Sequence, residues 1–208
     1  GYLESDSIGS LTYVSISDCL DSSLRKFEDV WKTIVTDDYV YFGCSNYIFR
    51  YYPTNQKPTP SDIEVFKAET SFFLLFKNKN DVYTYQRKKG LSKLCKENIE
   101  LVEEGAKIRT WFMLPYPGNK IFIGTMPEGL FVYDPLTKNK EEIFSKKYFN
   151  HDAIKILEAF LAENQLYNAT ALNDGRYALA TIRSGIVIID KRGNILQHIY
   201  KGNGLQSQ

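Results

Sequence analysis

The feature that most constrains this chain is a pattern that recurs about every forty residues. Four stretches share one form: an aromatic-rich strand, a polar turn, a strand entering a small or aromatic position, a short turn and a further strand. They run from Val30 to Tyr51, Phe72 to Leu94, Ile108 to Tyr133 and Leu166 to Ile189. Anchored on Gly43, Tyr85, Gly124 and Ala180, successive units stand 42, 39 and 56 residues apart. Self-similarity at such a period marks an array of small structural units that must stack on one another, not one continuous sheet.

The longer third interval has a local cause. Residues His151 to Asn164 carry Ile154, Leu157 and Leu161 at helical spacing, with Asn150 or Asp152 placed to cap a helix. A fourth strand follows in most units: Ile63 to Phe66, Glu142 to Phe144, and Ile195 to Ile199. Four strands per ~40 residues is the arithmetic of a propeller blade. The fold class expected is therefore all-β, a β-propeller of four-stranded antiparallel blades, four to five of them present, with one short helical insertion near 151–164. Residues 1–208 form a single propeller segment. It divides into the outer half of a blade (1–26), blades at 27–69, 70–104 and 105–149, the insertion (150–164), and a blade with the start of the next (165–208).

Two details refine the pattern. Gly90, Gly129 and Gly185 precede the third strands and fit turn positions with positive φ. Small residues at Gly43, Gly124 and Ala180 suit close approach of the second strand to a neighbouring blade, a rule that Tyr85 breaks.

Composition agrees with strands and excludes several functions. Aromatic residues make up 14%, with 15 Tyr and 13 Phe, and such side chains suit half-buried pleated surfaces. Lys and Arg total 26 against 25 Asp and Glu, so no broad field draws phosphate backbones or anionic lipid. No nucleic acid is expected to bind this segment. The longest apolar run, Phe72 to Phe76, is far short of the ~20 residues a spanning helix needs, so no membrane crossing is expected either. Cys19, Cys44 and Cys95 lie far apart without a C-x-x-C pair and are expected to be reduced, buried thiols. The chain opens mid-pattern at Gly1-Tyr2-Leu3 without a charged leader and apolar stretch. It is expected to be cut from a longer protein and to carry no signal peptide itself.

Two phrases carry a family resemblance: Gly124-Thr125-Met126-Pro127-Glu128-Gly129-Leu130-Phe131-Val132-Tyr133-Asp134, and Gly193-Asn194-Ile195-Leu196-Gln197-His198-Ile199 leading to Asn203-Gly204-Leu205-Gln206-Ser207. They resemble the two-component regulator propeller repeat, in which G-T-x-x-G-L-x-x-Y-D leads to G-x-I-x-x-I and then N-G-L-x-S. Gly1-Tyr2-Leu3, Val30-Trp31-Lys32 and Tyr41-Phe42 are similar to the branch found in Bacteroidetes-type sensors with a triple-tyrosine domain. The resemblance is best over residues 105–208 and weakest over 70–104. It implies the periplasmic sensor region of a membrane-anchored regulator of transcription, with a histidine kinase or a helix-turn-helix segment elsewhere. Members usually carry seven or more blades, so this chain reads as a propeller fragment. The partners implied are the remaining blades and output domains of the same full-length protein, a small-molecule or oligosaccharide ligand, and a homodimer.

Catalytic machinery is mostly missing from the sequence. His151 and His198 stand near no recognisable Ser or Cys nucleophile motif, and there is no G-x-S-x-G, H-E-x-x-H, phosphate-binding loop or EF-hand. Carboxylates pair at Asp37-Asp38, Glu103-Glu104 and Glu141-Glu142, but neighbours on a strand point to opposite faces, which suits solvated rims better than glycoside hydrolysis. Asn168-Ala169-Thr170 matches a glycosylation acceptor but lies on an expected inner strand and reads as coincidence. No cofactor, metal or catalytic residue is assigned.

The sharper candidates are Trp31, Arg109, Trp111 and Tyr167, which fall at or near equivalent positions of the innermost strands, whose ends border a propeller's central channel. Aromatic faces beside a cation suit a sugar ring or an acidic group. The competing reading is that these rings fill space between blades. Three functions are thus carried forward: a non-catalytic ligand sensor, an interaction or assembly scaffold, and, third, a carbohydrate-active enzyme.

Overall fold

Each repeat folds into its own antiparallel sheet. The computed structural model describes residues 1–102, 109–137 and 144–205. A two-stranded sheet opens the chain, β1 (Tyr2–Ser5) and β2 (Leu11–Val14). Four four-stranded sheets follow, each ordered as in the sequence. The first is β3 (Lys32–Val35), β4 (Val40–Gly43), β5 (Tyr47–Tyr51) and β6 (Ile63–Lys67); the second is β7 (Phe72–Asn78), β8 (Asp81–Gln86), β9 (Gly90–Leu94) and β10 (Ile99–Leu101). The third is β11 (Thr110–Tyr116), β12 (Lys120–Thr125), β13 (Leu130–Tyr133) and β14 (Phe144–Ser145). Helix α1 (His151–Asn164) precedes the fourth, β15 (Leu166–Ala171), β16 (Tyr177–Thr181), β17 (Ile186–Ile189) and β18 (Ile195–Ile199).

The first strands of successive sheets, β3, β7, β11 and β15, run side by side, which makes them the inner wall of a propeller segment. The core lies between sheets. Ile34, Ile48 and Phe66 of one blade meet Phe72, Leu75 and Val82 of the next. Tyr83 and Leu91 meet Met113, Ile121 and Ile123, and Phe122 and Val132 meet Leu179 and Ile189. A fourth cluster joins Ile16 and Leu20 to Phe49, Tyr51 and Ile63. At roughly 1.5–3 kcal/mol for each large apolar side chain fully buried, these interfaces supply most of what holds the blades together.

Helix α1 begins where the sequence places it, and the Asn150 side chain accepts from the main-chain N–H groups of Asp152 and Ala153. Its apolar face, Ile154, Leu157 and Leu161, joins the cluster between the third and fourth blades. Glu158 ties it to the third blade, accepting from Leu130 N at 2.7 Å and pairing with Lys146 at 2.6 Å. The turn glycines Gly90, Gly129 and Gly185 have φ of 107°, 98° and 69°, as their positions require.

The unit containing Tyr85 is a complete four-stranded blade, as the repeat predicts. Other expectations are corrected. At Gly43 the close approach is to both sides, since a Cβ would sit 3.1 Å from Trp31 Cη2 of the same blade and 3.3 Å from Leu75 Cδ2 of the next; at Gly124 the neighbour is nearer than supposed, the Phe112 ring of the same blade's inner strand, whose Cε1 would be 2.1 Å away. Tyr85 is tolerated because it meets Phe73 edge-on at 6.5 Å instead of lying under it. Of the three free thiols, only Cys44 is buried; Cys19 and Cys95 are half-buried. The last strand of the third blade begins, among described residues, at Phe144, and Ile108, Glu103-Glu104, Glu141-Glu142, Gln206 and Ser207 lie outside the described residues.

Candidate ligand-binding face at the start of the inner strands

The inner strands share a local irregularity that sets the site. In β7 the pairing with β8 slips between Phe72 and Leu74; in β11 the pairing with β12 slips between Thr110 and Phe112; in β15 the pairing with β16 slips between Leu166 and Asn168. Each slip leaves one unpaired residue, and it is aromatic every time: Phe73, Trp111 and Tyr167. A bulge of this kind re-aims the extra side chain out of the strand's alternation. The first blade has the equivalent residue just before β3, where Trp31 N donates to Gly43 O at 3.0 Å. Four blades thus present four aromatic residues at the same end of four neighbouring strands.

Of the residues singled out from sequence, the structure joins three directly. The Arg109 guanidinium lies over the Trp111 ring, 5.5 Å from its centroid. Trp111 Nε1 donates to the Tyr167 main-chain carbonyl at 2.7 Å, linking the third blade to the fourth. Tyr167 itself is 63% exposed. Trp31, 37% exposed, packs over Gly43. Trp31 and Trp111 line one cavity of about 590 Å³ with Lys32, Leu74, Met113 and Asn168, drawn from all four inner strands.

Sequence reasoning missed Phe73 and Arg87. The Phe73 ring stands 5.8 Å from Trp111 across the blade boundary, and the Arg87 guanidinium lies 5.2 Å from Phe73. The signal was the anchor register: Phe73 stands one place before the partner of Tyr85, as Trp111 does before the partner of Gly124. The Phe73–Trp111 pair does bridge blades and adds about 0.5–1.5 kcal/mol beyond its buried area.

No protein-family model matches the chain, and no curated protein matches it. Solved structures do. The extracellular domain of BT3049 from B. thetaiotaomicron, described as a hybrid two-component system, superposes with a TM-score of 0.59 over 97% of this chain at 15% identity. The extracellular domain of BT4673 from the same organism gives 0.63 over 94% at 11% identity. A second structure of a BT4673 extracellular domain, described as belonging to a one-component system, gives 0.52 over 95% at 10% identity. The chain has the fold of these extracellular domains. It spans only 25% to 36% of their length.

Elsewhere in the propeller segment, one pairing was not expected from sequence. His198 Nε2 lies 3.2 Å from Ser184 Oγ, which brings a hydroxyl to an imidazole. The same Nε2 lies 2.6 Å from the Ser184 carbonyl oxygen, which can only accept, so Nε2 carries the proton and cannot take one from the hydroxyl. Phe160 of α1 meets the His198 ring edge-on at 5.1 Å, so this imidazole seats the helix. Asp37 and Asp38 are exposed in the β3–β4 turn, where Asp37 meets Asn80 of the next blade. Among the described residues no helix is long and apolar enough to cross a membrane.

Proposed function

We propose that this chain is part of the extracytoplasmic sensor region of a membrane-anchored signal-transduction regulator, and that it recognises an oligosaccharide without transforming it. The observation that carries the reading is the row of bulge aromatics, Trp31, Phe73, Trp111 and Tyr167, at one end of the inner strands beside a cavity. Rings held at fixed spacing by main-chain pairing stack on the flat faces of successive sugar units. Arg109 sits at the same place and donates in the plane of its guanidinium. The fold shared with extracellular domains of B. thetaiotaomicron regulators supports the setting, and so do the repeat motifs. A sensor of this kind works by binding one arrangement of the full receptor more tightly than another, with the remaining blades and output domains as its partners and a homodimer as the simplest assembly.

Titrating the chain with an oligosaccharide panel while following tryptophan emission tests this. Saturable quenching that disappears in Trp111→Ala, with the melting temperature rising as ligand is added, is the expected outcome. A panel that shifts neither emission nor melting removes the reading.

An interaction scaffold is the second reading, favoured by Ile156, which is 65% exposed on α1. It is the reading left standing if the sugar titration is silent.

A further inference from the structure

Two arginines at the bulge row are held in place yet meet no charge among the described residues. The Arg87 main chain is fixed on both sides: its N–H donates to Ser71 O at 2.9 Å and its carbonyl accepts from the Thr70 hydroxyl. The Arg109 carbonyl accepts from Met126 N at 3.2 Å. Each guanidinium then lies over an aromatic ring, Arg87 Cζ 5.2 Å from the Phe73 centroid and Arg109 Cζ 5.5 Å from the Trp111 centroid. A cation held over an aromatic face keeps its N–H donors available to a further partner.

Among the described residues, neither guanidinium has a carboxylate or carbonyl partner. Other arginines in the chain contrast with them: Arg50 is buried against Glu64 and the carbonyls of Cys95 and Lys96, and Arg176 holds Asp174. Phe73 and Trp111 are adjacent, so the two guanidiniums stand no farther apart than a tetrasaccharide is long. Lys32 adds a third cation on the wall of the cavity that Trp111 lines. The whole chain is close to neutral, at +1, so any preference for anions has to come from these local donors and not from a general field.

We infer that Arg87 and Arg109 select an acidic ligand, one bearing carboxylate or sulfate groups along its length, and that the bulge aromatics stack on the rings that carry those groups. Planar N–H forks match the two oxygens of a carboxylate or sulfate, and a charge-assisted bond of this kind is roughly twice as strong as a neutral one. This rests on the reading that the row binds an oligosaccharide, and adds the chemical class of that ligand.

The test compares uronic-acid and sulfated tetrasaccharides with neutral tetrasaccharides of glucose and galactose, following tryptophan emission of the chain. Acidic members are expected to bind at least tenfold more tightly than neutral ones, and to weaken severalfold between 50 mM and 500 mM salt. Arg87→Gln and Arg109→Gln should each cut that preference, while Lys155→Gln on α1 should leave it intact. Melting curves show whether the arginine variants fold, and the salt series on the unaltered chain gives an answer independent of them. Equal binding of acidic and neutral members, or a preference untouched in both arginine variants, overturns the inference while leaving sugar recognition standing. Silence across the panel overturns both.

Discussion

The Tyr177 hydroxyl donates to the Pro115 carbonyl at 2.9 Å, carrying a hydrogen bond from the second strand of the fourth blade to the inner strand of the third. Tyr177 is buried, and its ring meets Phe122 edge-on at 4.9 Å, so one side chain serves packing and polar satisfaction at the same interface. Together with the Trp111–Tyr167 bond it shows how these blades are joined: inner-strand carbonyls left free by the sheet are taken up by aromatic donors on the next blade or the last.

Tyr177→Phe keeps the ring and removes the donor, leaving the Pro115 carbonyl short of a partner. A loss of about 1–3 kcal/mol is expected by urea denaturation at neutral pH. The pH dependence adds a second check. Burial, with a smaller contribution from Tyr116, pushes the Tyr177 phenol up to about 12. Its contribution is complete below about pH 10, where the unfolded phenol titrates. Above that the unfolded chain sheds the proton first, so stability falls as pH rises towards 12. The Phe variant should lose stability less steeply over that window, and an unchanged slope would remove Tyr177 as its source.

Gly124→Ala should destabilise more than Gly43→Ala. The new methyl at 124 would lie 2.1 Å from one Phe112 ring atom and 2.6 Å from another, and Phe112 is itself buried between the blades. Overpacking of this sort costs about 1–3 kcal/mol. At position 43 the nearest atom is at 3.1 Å on Trp31, a half-exposed ring with room to tilt. Thermal melts of the two variants should rank them in that order; equal losses would show that the clash is relieved by a main-chain shift.

One carboxylate adds a polar tie between helix α1 and the third blade to the packing of its apolar face. Glu158 accepts from Leu130 N and from Lys146, so Glu158→Ala strands the main-chain donor of a buried residue and a cation together. About 1–3 kcal/mol should be lost. Hydrogen exchange should quicken across 151–164 and at Leu130 ahead of the β7–β10 blade, which shares no contact with this carboxylate. Uniform quickening over the whole chain would mean that the helix does not open as a local unit.

How much of this was legible in the sequence follows from which forces are local. The helix and its Asn150 cap depend on neighbours three and four places apart, and the turn glycines on single φ angles, so both could be read from spacing. The blade repeat was legible because every blade solves the same burial problem. Phe73 was not, because it sits in the continuous apolar run Phe72 to Phe76, where no alternation marks the bulge. The contact of Trp111 with Tyr167 spans 56 positions, and the fit of Gly124 under Phe112 depends on strand register. Neither distance along the chain nor residue type alone encodes such pairings. The Ser184–His198 contact was missed for the same reason: it is made across two paired strands, β17's approach and β18, and has no motif.

The cysteines show where composition misleads and offer a final test. Residue type alone suggested three buried thiols. Cys44 alone has no exposed surface, and burial pushes its thiol up to about 11. Cys19 and Cys95 are half-buried, and their thiols are also raised, chiefly by desolvation. A thiol reagent attacks the thiolate, so reactivity requires both access and ionisation. At pH 8 two cysteines should therefore label slowly in the folded chain, while the third labels only after denaturant is added. Cys44 also contributes to alkaline sensitivity: its folded-state value lies above the unfolded one, so its contribution is complete below about pH 8.5 and is lost as pH climbs towards 11. Cys44→Ser should dampen that part of the decline. Prompt labelling of all three thiols under native conditions would show that the Cys44 turn opens readily, and with it the start of β3 where Trp31 is held.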